Sequence, residues 1–567
     1  MLTKNLKLMR RQFYTIVVVF LAFTACQKPI EEPRRFTQGM VVSARAEASA
    51  IGLSILKKGG NAFDAMIATD LALAVSYPNA GNIGGGGFMV YRLADGQVGS
   101  LDYREKAPAQ SSSNMYLDSL GNVVPNKSTE GGLAVGVPGT VAGLFEVHEK
   151  FGSLPMRDLI QPAIDLAKMG VVVTPKQFQR LNTYKDKIIE LNAPDCFYNQ
   201  SFAAGDTLQY HTLANTLQVI QSKGKNAFYQ GTIAQEMVNY VSKKGGILSL
   251  DDLKNYKAVW RDPIRIQYKD LSIISMGPPS SGGIVLGQIL KMIEPFALTQ
   301  NDFLSPSSIQ PIVEASRRSY ADRSEHLGDP DYVAIPVESL LDSEYLKQRM
   351  ISFDWSQATA SSSVASGKLT LQESPETTHY SIIDSKGNAV AVTTTLNANY
   401  GSKLLVPSLG FFLNNEMDDF SSKPGVPNLY GVIGGEANAI VPEKRMLSSM
   451  TPTIVEQNGQ LSMILGSPGG STIITSVLQT ILNVYDFKKN IQAAVEAPRF
   501  HHQWLPDSIK YEAATFDVKT KNNLENKGFY FHQNPTIIGR VDAIKIHKDG
   551  SFSGGADPRG DDSVSGF

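Results

Sequence analysis

The stretch from Thr377 to Asn397 restricts the fold more than any other part of this chain. It reads "TTHYSIIDSKGNAVAVTTTLN", two runs rich in β-branched residues on either side of a glycine-containing turn. Such a pattern predicts a β-hairpin. The preceding segment, "TASSSVASGKLTLQESPE", has the composition of an exposed loop and ends at Glu376. The sequence therefore predicts that a strand begins at Thr377, directly after a loop.

The polar side chains of this hairpin fall on matching faces, because alternate residues of a strand point to the same side of a sheet. Pairing through the turn then sets a hydroxyl-rich stripe beside Thr377, while Val390 and Val392 lie on the opposite face. The stripe consists of Thr377, His379 and Ser381 on the first strand and of Thr393, Thr395 and Asn397 on the second.

Thr377 has two interpretations. A threonine hydroxyl is a weak nucleophile unless a base lies beside it, and an N-terminal threonine supplies that base as its own α-amine. The ordinary pKa of an α-amine is about 7.7–8.0, but in this chain the amine exists only after cleavage of the Glu376–Thr377 bond. The alternative is that threonine stands there simply because it favours strands. In the first interpretation His379 is structural, since the nucleophile carries its own base.

The composition is typical of a globular protein with a small ligand. The 567 residues are 42% hydrophobic and include 48 glycines, which suits a turn-rich fold. A net charge of −1 gives no reason to expect nucleic acid or another charged polymer as partner. Helix patterns mixed with strand hairpins, rather than alternating strictly with them, predict an α+β layered sandwich.

Several further elements can be assigned from their patterns. "ASAIGLSILKKGG" and "NAFDAMIATDLALAVSYP" predict two helices, and "GFMVYRLADGQVGSLDYRE" predicts two strands around an Asp-Gly turn. The region from about 140 to 350 is expected to be mostly helical. After the hairpin, "FFLNN", "PTIVEQNGQLSMILG" and "DAIKIHKDG" are strand-like, and "STIITSVLQTILNVY" is helical.

The N-terminus predicts export. Basic residues precede the apolar run "FYTIVVVFLAFTA", which is short for a membrane span and ends in small residues, as a secretory signal does. "FTAC" resembles a bacterial lipobox, with Cys26 as the lipidated residue. Ordinary signal cleavage, an uncleaved anchor and a twin-arginine signal, indicated by "RRQF", are the alternatives. We assign residues 1–26 to the signal and 27–38 to a tether, and we expect a periplasmic or cell-envelope protein with no other membrane attachment.

Two glycine clusters invite an anion-binding interpretation. "GNIGGGGF", from Gly81 to Phe88, lacks a following Lys-Ser/Thr and does not lead into a helix, so nucleotide binding is not expected. "GSPGGS", from Gly466 to Ser471, lies between an apolar strand and a helix, where successive N–H groups can hold an anion. Plain turn chemistry explains this second cluster equally well.

Other catalytic and metal-binding patterns are missing from the sequence. His501 and His502 in "FHHQW" are neighbours, which point to opposite faces of an extended chain, and no HExxH or Cys/His spacing accompanies them. We therefore expect a structural role for both histidines, no metal and no cofactor. No G-x-S-x-G elbow supports a serine hydrolase. If Cys26 is lipidated, Cys196 stands alone and is expected to be a buried apolar residue.

Several ordered motifs closely resemble the γ-glutamyltranspeptidase (γ-glutamyltransferase) family. They are "GNIGGGGF", "LDYREKAP", "TTHYSIID", "NNEMDDFSSKPGVPNLYG", "KRMLSSMTPTIV", "GSPGGS" and "APRFHHQWLPD", spread from about residue 38 to the C-terminus. The resemblance implies an N-terminal-nucleophile hydrolase with a four-layer αββα sandwich. It also implies a proenzyme that cuts itself between Glu376 and Thr377 into a large subunit, 39–376, and a small subunit, 377–567.

The resemblance implies a set of catalytic roles. Thr377 would attack the Glu376 carbonyl during maturation and later the δ-carbonyl of a γ-glutamyl compound such as glutathione, passing the γ-glutamyl group to water, an amino acid or a peptide. Thr395 would orient Thr377. The backbone N–H groups of Gly469 and Gly470 would hold the oxyanion, which favours the anion-binding interpretation of their cluster.

The resemblance also implies how the substrate is held. Arg104 would bind the α-carboxylate with Ser448 and Ser449. The α-ammonium group would be bound by Asn397, Glu416 and Asp419, and position 416 is Glu where some family members have Gln. Tyr430 would form the tip of a lid over the pocket.

Two other functions remain possible on the sequence alone. One is a binding lipoprotein that uses this scaffold without catalysis; the intact set of Thr377, Thr395 and the glycine pair argues against it. The other is an amide acylase related to the cephalosporin acylases, which lack the lid. The C-terminal "DPRGDDSVSGF" departs from the family pattern after Arg559 and touches none of the site positions.

Overall fold

The computed structural model describes residues 32–193, 196–364, 377–423, 425–426, 428, 431 and 434–567. The chain divides into two compact units, residues 1–34 and 35–567, and the architecture below is that of the second. The proposed signal with Cys26, the cleavage-site residue Glu376 and the lid residue Tyr430 lie outside the described residues.

Eighteen strands form in the described residues. They are β1 (Arg35–Phe36), β2 (Met40–Ser43), β3 (Gly86–Arg92), β4 (Val98–Asp102), β5 (Val171–Val172), β6 (Thr207–Leu208), β7 (Val259–Arg261), β8 (Ile264–Tyr268), β9 (Leu271–Ser275), β10 (Thr378–Ile383), β11 (Ala389–Thr395), β12 (Thr453–Gln457), β13 (Gln460–Gly466), β14 (Phe500–His501), β15 (Lys510–Tyr511), β16 (Asp542–Ile546), β17 (Phe552–Gly555) and β18 (Ser563–Gly566).

Sixteen α-helices accompany them in the same part of the chain. They are α1 (Ala46–Lys57), α2 (Ala62–Ser76), α3 (Thr140–Phe151), α4 (Met156–Met169), α5 (Pro175–Asn192), α6 (His211–Lys223), α7 (Lys225–Tyr229), α8 (Thr232–Lys243), α9 (Leu250–Asn255), α10 (Gly282–Ile293), α11 (Pro306–His326), α12 (Val337–Leu340), α13 (Ser343–Arg349), α14 (Thr472–Tyr485), α15 (Ile491–Glu496) and α16 (Val518–Asn526).

Two seven-stranded sheets organise the molecule, and every pairing in them is antiparallel. Sheet I has the order β18-β2-β10-β11-β3-β4-β7, and sheet II has the order β1-β17-β16-β13-β12-β9-β8. Each sheet therefore interleaves strands from before and after the proposed cut. In sheet I, β10 lies between β2 and β11, and in sheet II, β12 lies between β9 and β13.

Three apolar clusters define four layers. Val390 and Val392 of sheet I pack with α1 to α4 on its outer face, whereas Ala389 and Ala391 face the space between the sheets. On the other side, Met463 of sheet II packs against α10, α11 and α14. Strand residues thus alternate between an outer helical layer and the inter-sheet core, as period-two patterning requires. The predicted four-layer αββα sandwich is confirmed.

The two helices predicted near the N-terminus show how the outer layer forms. Asn61 caps α2, because its side chain accepts hydrogen bonds from the N–H groups of Phe63 (2.9 Å) and Asp64 (3.0 Å). Every residue of α2 is buried. α1 crosses it at Gly52, where a Cβ would come within 2.2 Å of the Thr69 hydroxyl, so close helix packing requires glycine there.

The structure differs from the sequence expectations in two places. Arg35 and Phe36, assigned to the tether, form β1 and pair with β17. "FFLNN" is not a strand; Asn414 within it binds the backbone of Gly84 and Gly136, which holds the segment as a loop. The region from 140 to 350 is mostly helical, as expected, and also contains the hairpin β8–β9. No helix in the described ranges is both long and apolar enough to cross a bilayer.

Candidate active site

The β10–β11 hairpin places Thr377 directly before the first residue of β10. Thr378 pairs with Thr394, and one further step in this register sets Thr377 opposite Thr395, the last residue of β11. Thr377 is only 3% exposed. The hairpin and the hydroxyl-rich face expected from the sequence are both present.

His379 is held by other members of the polar stripe. Its Nδ1 lies 2.9 Å from the Thr393 hydroxyl and its Nε2 lies 3.1 Å from the Ser381 hydroxyl. The ring covers Gly466 of sheet II, where a Cβ would come within 2.3 Å of it. Burial lowers the pKa of His379 to about 3, so the ring is neutral. His379 therefore has a structural role, because its ring packs between sheet I and sheet II.

Thr395 turns the chain into the next site residue. Its hydroxyl oxygen accepts a hydrogen bond from the Asn397 N–H at 2.7 Å. Asn397 has a left-handed φ of 73°, and its amide donates to the Asn415 carbonyl at 3.0 Å. Because the Thr395 hydroxyl is an acceptor in this turn, its own proton remains available for donation.

The glycine loop, Gly466–Ser471, joins β13 to α14. Gly469 and Gly470 have φ values of 133° and 56°, a region that side chains rarely adopt, and a Cβ on Gly469 would come within 2.5 Å of the Thr472 hydroxyl. Within the described part of the chain, neither glycine N–H donates a hydrogen bond to another protein group. Two consecutive N–H groups at a helix N-terminus are thus available to an anion.

Nine of the predicted site residues line one active-site cavity. Gly469 is the exception among the predicted residues that the structure describes, because it lines a neighbouring cleft instead. The cavity is therefore a polar chamber with the proposed nucleophile at its wall. The nine are Arg104, Thr377, Thr395, Asn397, Glu416, Asp419, Ser448, Ser449 and Gly470.

Arg104 is the electrostatic centre of the cavity. Its guanidinium, 1% exposed, donates to the carboxylates of Glu416 and Asp419 and, at 3.3 Å, to the Met446 carbonyl. Burial lowers the pKa of Arg104 and the carboxylates raise it, with a net upward shift. Burial likewise raises the pKa of Glu416 and of Asp419 above the ordinary carboxyl range, and Arg104 opposes that rise. The groups predicted to bind the two charges of a substrate therefore bind each other here.

Two charged residues, one lining this chamber and one behind Arg104, were missed by the sequence analysis. Arg323 of α11 lines the cavity and donates to the hydroxyls of Ser281 (2.9 Å) and Ser449 (3.2 Å). Glu105 is fully buried with an oxygen 3.6 Å from Arg104 Nη1, and burial raises its pKa to about 8. Glu105 follows Arg104 directly in "DYREK", which is the one local signal that could have drawn attention to it.

The "FHHQW" motif supports the glycine loop from behind. The Ser471 hydroxyl donates to Gln503 Oε1 at 2.6 Å, and His501 Nε2 lies 2.8 Å from the same oxygen. The Gln503 amide in turn donates to the Gly431 carbonyl at 3.2 Å, in the predicted lid. His502 contacts Asp507 at 3.2 Å. Both histidines thus make structural hydrogen bonds. Gln503, which the sequence analysis did not single out, connects Gly431 of the predicted lid to Ser471 of the glycine loop.

Asp418, the neighbour of the predicted site residue Asp419, and Cys196 both lie away from the chamber. Asp418 accepts a hydrogen bond from the Ser128 hydroxyl at 2.6 Å and does not line the cavity. Cys196 is 6% exposed in an apolar cluster with Tyr198 and Phe412, and burial raises the pKa of its thiol. A buried thiol with a raised pKa is not a nucleophile.

Comparison with known proteins agrees with this geometry. The profile of the family described as gamma-glutamyltranspeptidase matches residues 48–567. The chain is 44% identical to the glutathione hydrolase proenzyme of Escherichia coli (strain K12), covering 95% of this chain and 94% of the relative.

Solved structures agree as well. The cephalosporin acylase from Bacillus halodurans has a TM-score of 0.80 and 25% identity, with 96% of this chain and 98% of that one covered. The gamma-glutamyltranspeptidase of Helicobacter pylori has a TM-score of 0.56 and 39% identity, covering 61% of this chain and 99% of that one. The chain described here belongs to the γ-glutamyltranspeptidase family.

Proposed function

We propose that this protein is a γ-glutamyltransferase and glutathione hydrolase that uses Thr377 as an N-terminal nucleophile. One observation carries the proposal. Thr377 stands at the head of a strand and opens into a chamber where a buried arginine, two carboxylates and two serines lie together. A γ-glutamyl group ends in an α-carboxylate and an α-ammonium, so it needs both kinds of partner at one end and a nucleophile at the other.

Maturation is the first reaction. The Thr377 hydroxyl attacks the carbonyl carbon of Glu376, the peptide C–N bond breaks, and the chain before the cut becomes an ester on Thr377. Water then hydrolyses that ester and leaves a carboxylate on Glu376. The products are a large subunit ending at Glu376 and a small subunit, 377–567, whose new α-amine is the general base.

Turnover repeats the chemistry on a substrate. The α-amine takes the Thr377 hydroxyl proton while Oγ attacks the δ-carbonyl of the γ-glutamyl amide. The N–H groups of Gly469 and Gly470 hold the oxyanion, and each such donor is worth roughly 10²–10³ in rate. The amine leaves with a proton from the α-ammonium, and water or an acceptor amine then breaks the γ-glutamyl ester.

Recognition of the donor follows from the charge arrangement. Arg104 turns its two Nη groups from Glu416 and Asp419 to the substrate α-carboxylate, assisted by Ser448 and Ser449. The released carboxylates, with Asn397, accept from the α-ammonium. Substrate binding therefore replaces the ion pairs between Arg104 and the two carboxylates by two new sets. Arg104 pairs with the α-carboxylate and the two carboxylates pair with the α-ammonium, so no charge is left buried without a partner.

Export is part of the same proposal. The basic start, the apolar run and Cys26 support a signal peptide with lipid attachment at Cys26, followed by the tether. The body of the enzyme would then work in the periplasm or cell envelope. Labelling with a radioactive fatty acid, with Cys26→Ala as the control, tests the lipid attachment.

Maturation is tested by intact mass and N-terminal sequencing of the purified protein beside Thr377→Ala. We expect two chains, the smaller starting at Thr377, and an uncut variant. A single uncut chain in both samples would contradict the mechanism and favour the binding-lipoprotein alternative.

Substrate class needs a separate test, because the fold is shared with a cephalosporin acylase. γ-Glutamyl-p-nitroanilide and glutaryl-p-nitroanilide differ only by the α-ammonium group. A site that uses Glu416 and Asp419 as proposed prefers the first; preference for the second would point to an acylase. Glutathione is then assayed as the physiological donor.

A further inference from the structure

The glycine loop has no side chain at the two positions that would hold the oxyanion, so its shape depends on hydrogen bonds to its backbone. The N–H of Gly470 shares a peptide plane with the Gly469 carbonyl, which accepts from the Thr472 N–H at 3.0 Å and from the Thr472 hydroxyl at 2.7 Å. The N–H of Gly469 shares a plane with the Pro468 carbonyl, which accepts from the Ser467 hydroxyl at 2.7 Å. These local bonds fix the internal shape of the loop, and its position relative to the nucleophile must be set from outside.

Ser471, the residue after the glycine pair, connects the loop to two other parts of the chain. Its carbonyl accepts from the Tyr320 hydroxyl of α11, and its own hydroxyl donates to Gln503 Oε1 at 2.6 Å. All three side chains are buried, so these bonds form where competition from water is weak. The loop is thus held from outside at the residue that directly follows Gly470.

The orientation of the Gln503 amide follows from its partners. Its nitrogen lies 3.2 Å from the Gly431 carbonyl oxygen and 3.3 Å from the Leu505 carbonyl oxygen, and both of these oxygens can only accept. The amide oxygen therefore points the other way, towards Ser471 and His501. Both of these residues must donate to it.

His501 completes this arrangement. Burial lowers its pKa to about 3, so the ring carries a single proton. Because Gln503 Oε1, 2.8 Å from Nε2, is an acceptor, that proton lies on Nε2, and Nδ1 accepts from the Thr475 hydroxyl at 2.8 Å. The ring also packs edge-on against Tyr320, with ring centroids 5.6 Å apart. The hydrogen bonds of Gln503 therefore have one consistent arrangement, in which its oxygen faces Ser471.

We propose that Gln503 is a positioning residue for γ-glutamyl transfer, which holds the N–H groups of Gly469 and Gly470 in place through the Ser471 hydroxyl. This inference rests on the proposed function. Gln503 does not line the active-site cavity and acts only through the glycine loop. The oxyanion forms only as Thr377 attacks, and donors that already point at it need no reorganisation. Loss of the bond between Gln503 and Ser471 should therefore weaken binding of the tetrahedral intermediate and leave binding of the substrate ground state as it is.

Two variants break this bond from opposite sides. Ser471→Ala removes the donating hydroxyl, and Gln503→Glu keeps the size of the side chain but turns an oxygen towards the Gly431 and Leu505 carbonyls. We expect kcat for hydrolysis of γ-glutamyl-p-nitroanilide to fall about tenfold in each, as for loss of one buried hydrogen bond. Both proteins should mature like the wild type. A Ser471→Ala protein that stays uncut would assign the bond to folding and overturn the proposal.

A tetrahedral inhibitor separates positioning from general damage to the cavity. In this probe a boronic acid replaces the amide carbonyl of the γ-glutamyl group and forms a tetrahedral adduct with Thr377, whereas glutamate binds without one. The inhibition constant of the boronate should rise about tenfold in both variants, and that of glutamate should change less than about twofold. Equal changes for the two inhibitors would mean that the variants distort the whole cavity, which would contradict the proposal.

Gln479→Glu is the matched control. Gln479 of α14 is also buried, and its amide donates to the carbonyls of Thr475 (2.9 Å) and Phe500 (2.7 Å) and accepts from the Phe500 N–H at 3.2 Å. None of these partners belongs to the glycine loop. The control should keep kcat and both inhibition constants within about twofold of the wild type. A tenfold loss of kcat here would assign the effect to the introduced carboxyl group and not to the contact with Ser471.

The double variant Ser471→Ala/Gln503→Glu tests whether the two residues act through one bond. It should lose about as much kcat as either single variant, whereas losses that multiply to about a hundredfold would show independent effects and overturn the proposal. If the wild type hydrolyses γ-glutamyl-p-nitroanilide and the single variants keep its kcat, only the role of Gln503 fails. If the wild type cleaves no γ-glutamyl compound, the proposed function fails and this inference fails with it.

Discussion

The active-site cavity and the neighbouring cleft, which Gly469 lines together with Lys176, Arg180, Arg540 and Arg559, lie on two sides of the glycine loop but hold charge in different ways. In the cavity Arg104 is 1% exposed and bound by two carboxylates whose pKa values burial raises. In the cleft the charges stand at an open rim. Removing one partner of a buried ion pair is costly because a charge is left unpaired, whereas exposed pairs contribute little. Loss of one charged group should therefore disturb the cavity far more than the cleft.

The strongest test of this contrast is Arg104→Gln. It leaves Glu416 and Asp419 without their cation and removes the partner of the donor α-carboxylate. A loss of about 3–5 kcal/mol corresponds to a decrease of about 10²–10⁴-fold in donor kcat/KM. Steady-state kinetics beside Arg180→Gln provide the check. Similar donor losses in both variants would mean that the two pockets do not differ as proposed.

The wall between the pockets is tested by Gly469→Ala. Its φ of 133° and the 2.5 Å approach of a Cβ to the Thr472 hydroxyl mean that the loop must shift, which displaces the oxyanion donors. We expect kcat to fall by about 10²–10³ with both donor and acceptor KM little changed.

Gly459→Ala is the matched control for that prediction. Gly459 also has a left-handed φ, 75°, but lies in the β12–β13 turn, where a Cβ would meet nothing within 4 Å. This variant should lose some stability to backbone strain while keeping its kcat. Loss of kcat in the control would assign the effect to strain alone.

A smaller effect is expected from pH on the cavity side. Burial raises the pKa of Glu416, so the carboxylate that binds the ammonium exists above that pKa and is lost as pH falls through it. Donor KM should therefore rise as the pH becomes more acidic. Glu416→Gln should weaken this dependence and raise donor KM about fivefold at alkaline pH, by loss of one charged hydrogen bond. A pH profile that the substitution leaves unchanged would exclude Glu416 as an ammonium partner.

The smallest expected effect is that of salt on donor binding. At about 1 M salt the Debye length is about 3 Å, so exposed charges are screened while buried ones are not. Donor KM, measured by steady-state kinetics, should therefore change less than about twofold between low and high salt. A large rise in donor KM with salt would mean that the charges of the cavity are as exposed as those of the cleft.

The parts of the site carried by local patterns could be predicted from the sequence. Period-two alternation gave the hairpin and the face shared by Thr377 and Thr395. Positions 469 and 470 require glycine because both have a positive φ. Their position directly before α14 indicated that their N–H groups are available to an anion. In each case the physical cause lies within a few residues along the chain.

The parts that depend on distant contacts could not be predicted. Arg323 belongs to a helix whose sequence does not reveal which of its arginines points into the chamber; only the contact with Ser449, 126 positions away, settles it. β1 is only two residues long and forms by pairing with the edge strand β17. The dipeptide "RF" contains no pattern that predicts a strand. The cleft that Gly469 lines likewise joins α5 to residues more than 350 positions later in the chain.

The interleaved sheets have a consequence for the life of the enzyme once it is cut. Because β10 lies between β2 and β11, and β12 between β9 and β13, neither subunit can leave without dismantling both sheets. The precursor folds as one molecule, in a first-order process. After the cut, an unfolded enzyme becomes two separate chains whose reassembly depends on their concentration. After self-cleavage the lifetime of the folded enzyme therefore depends on how slowly it unfolds, because the two separated chains do not readily refold together.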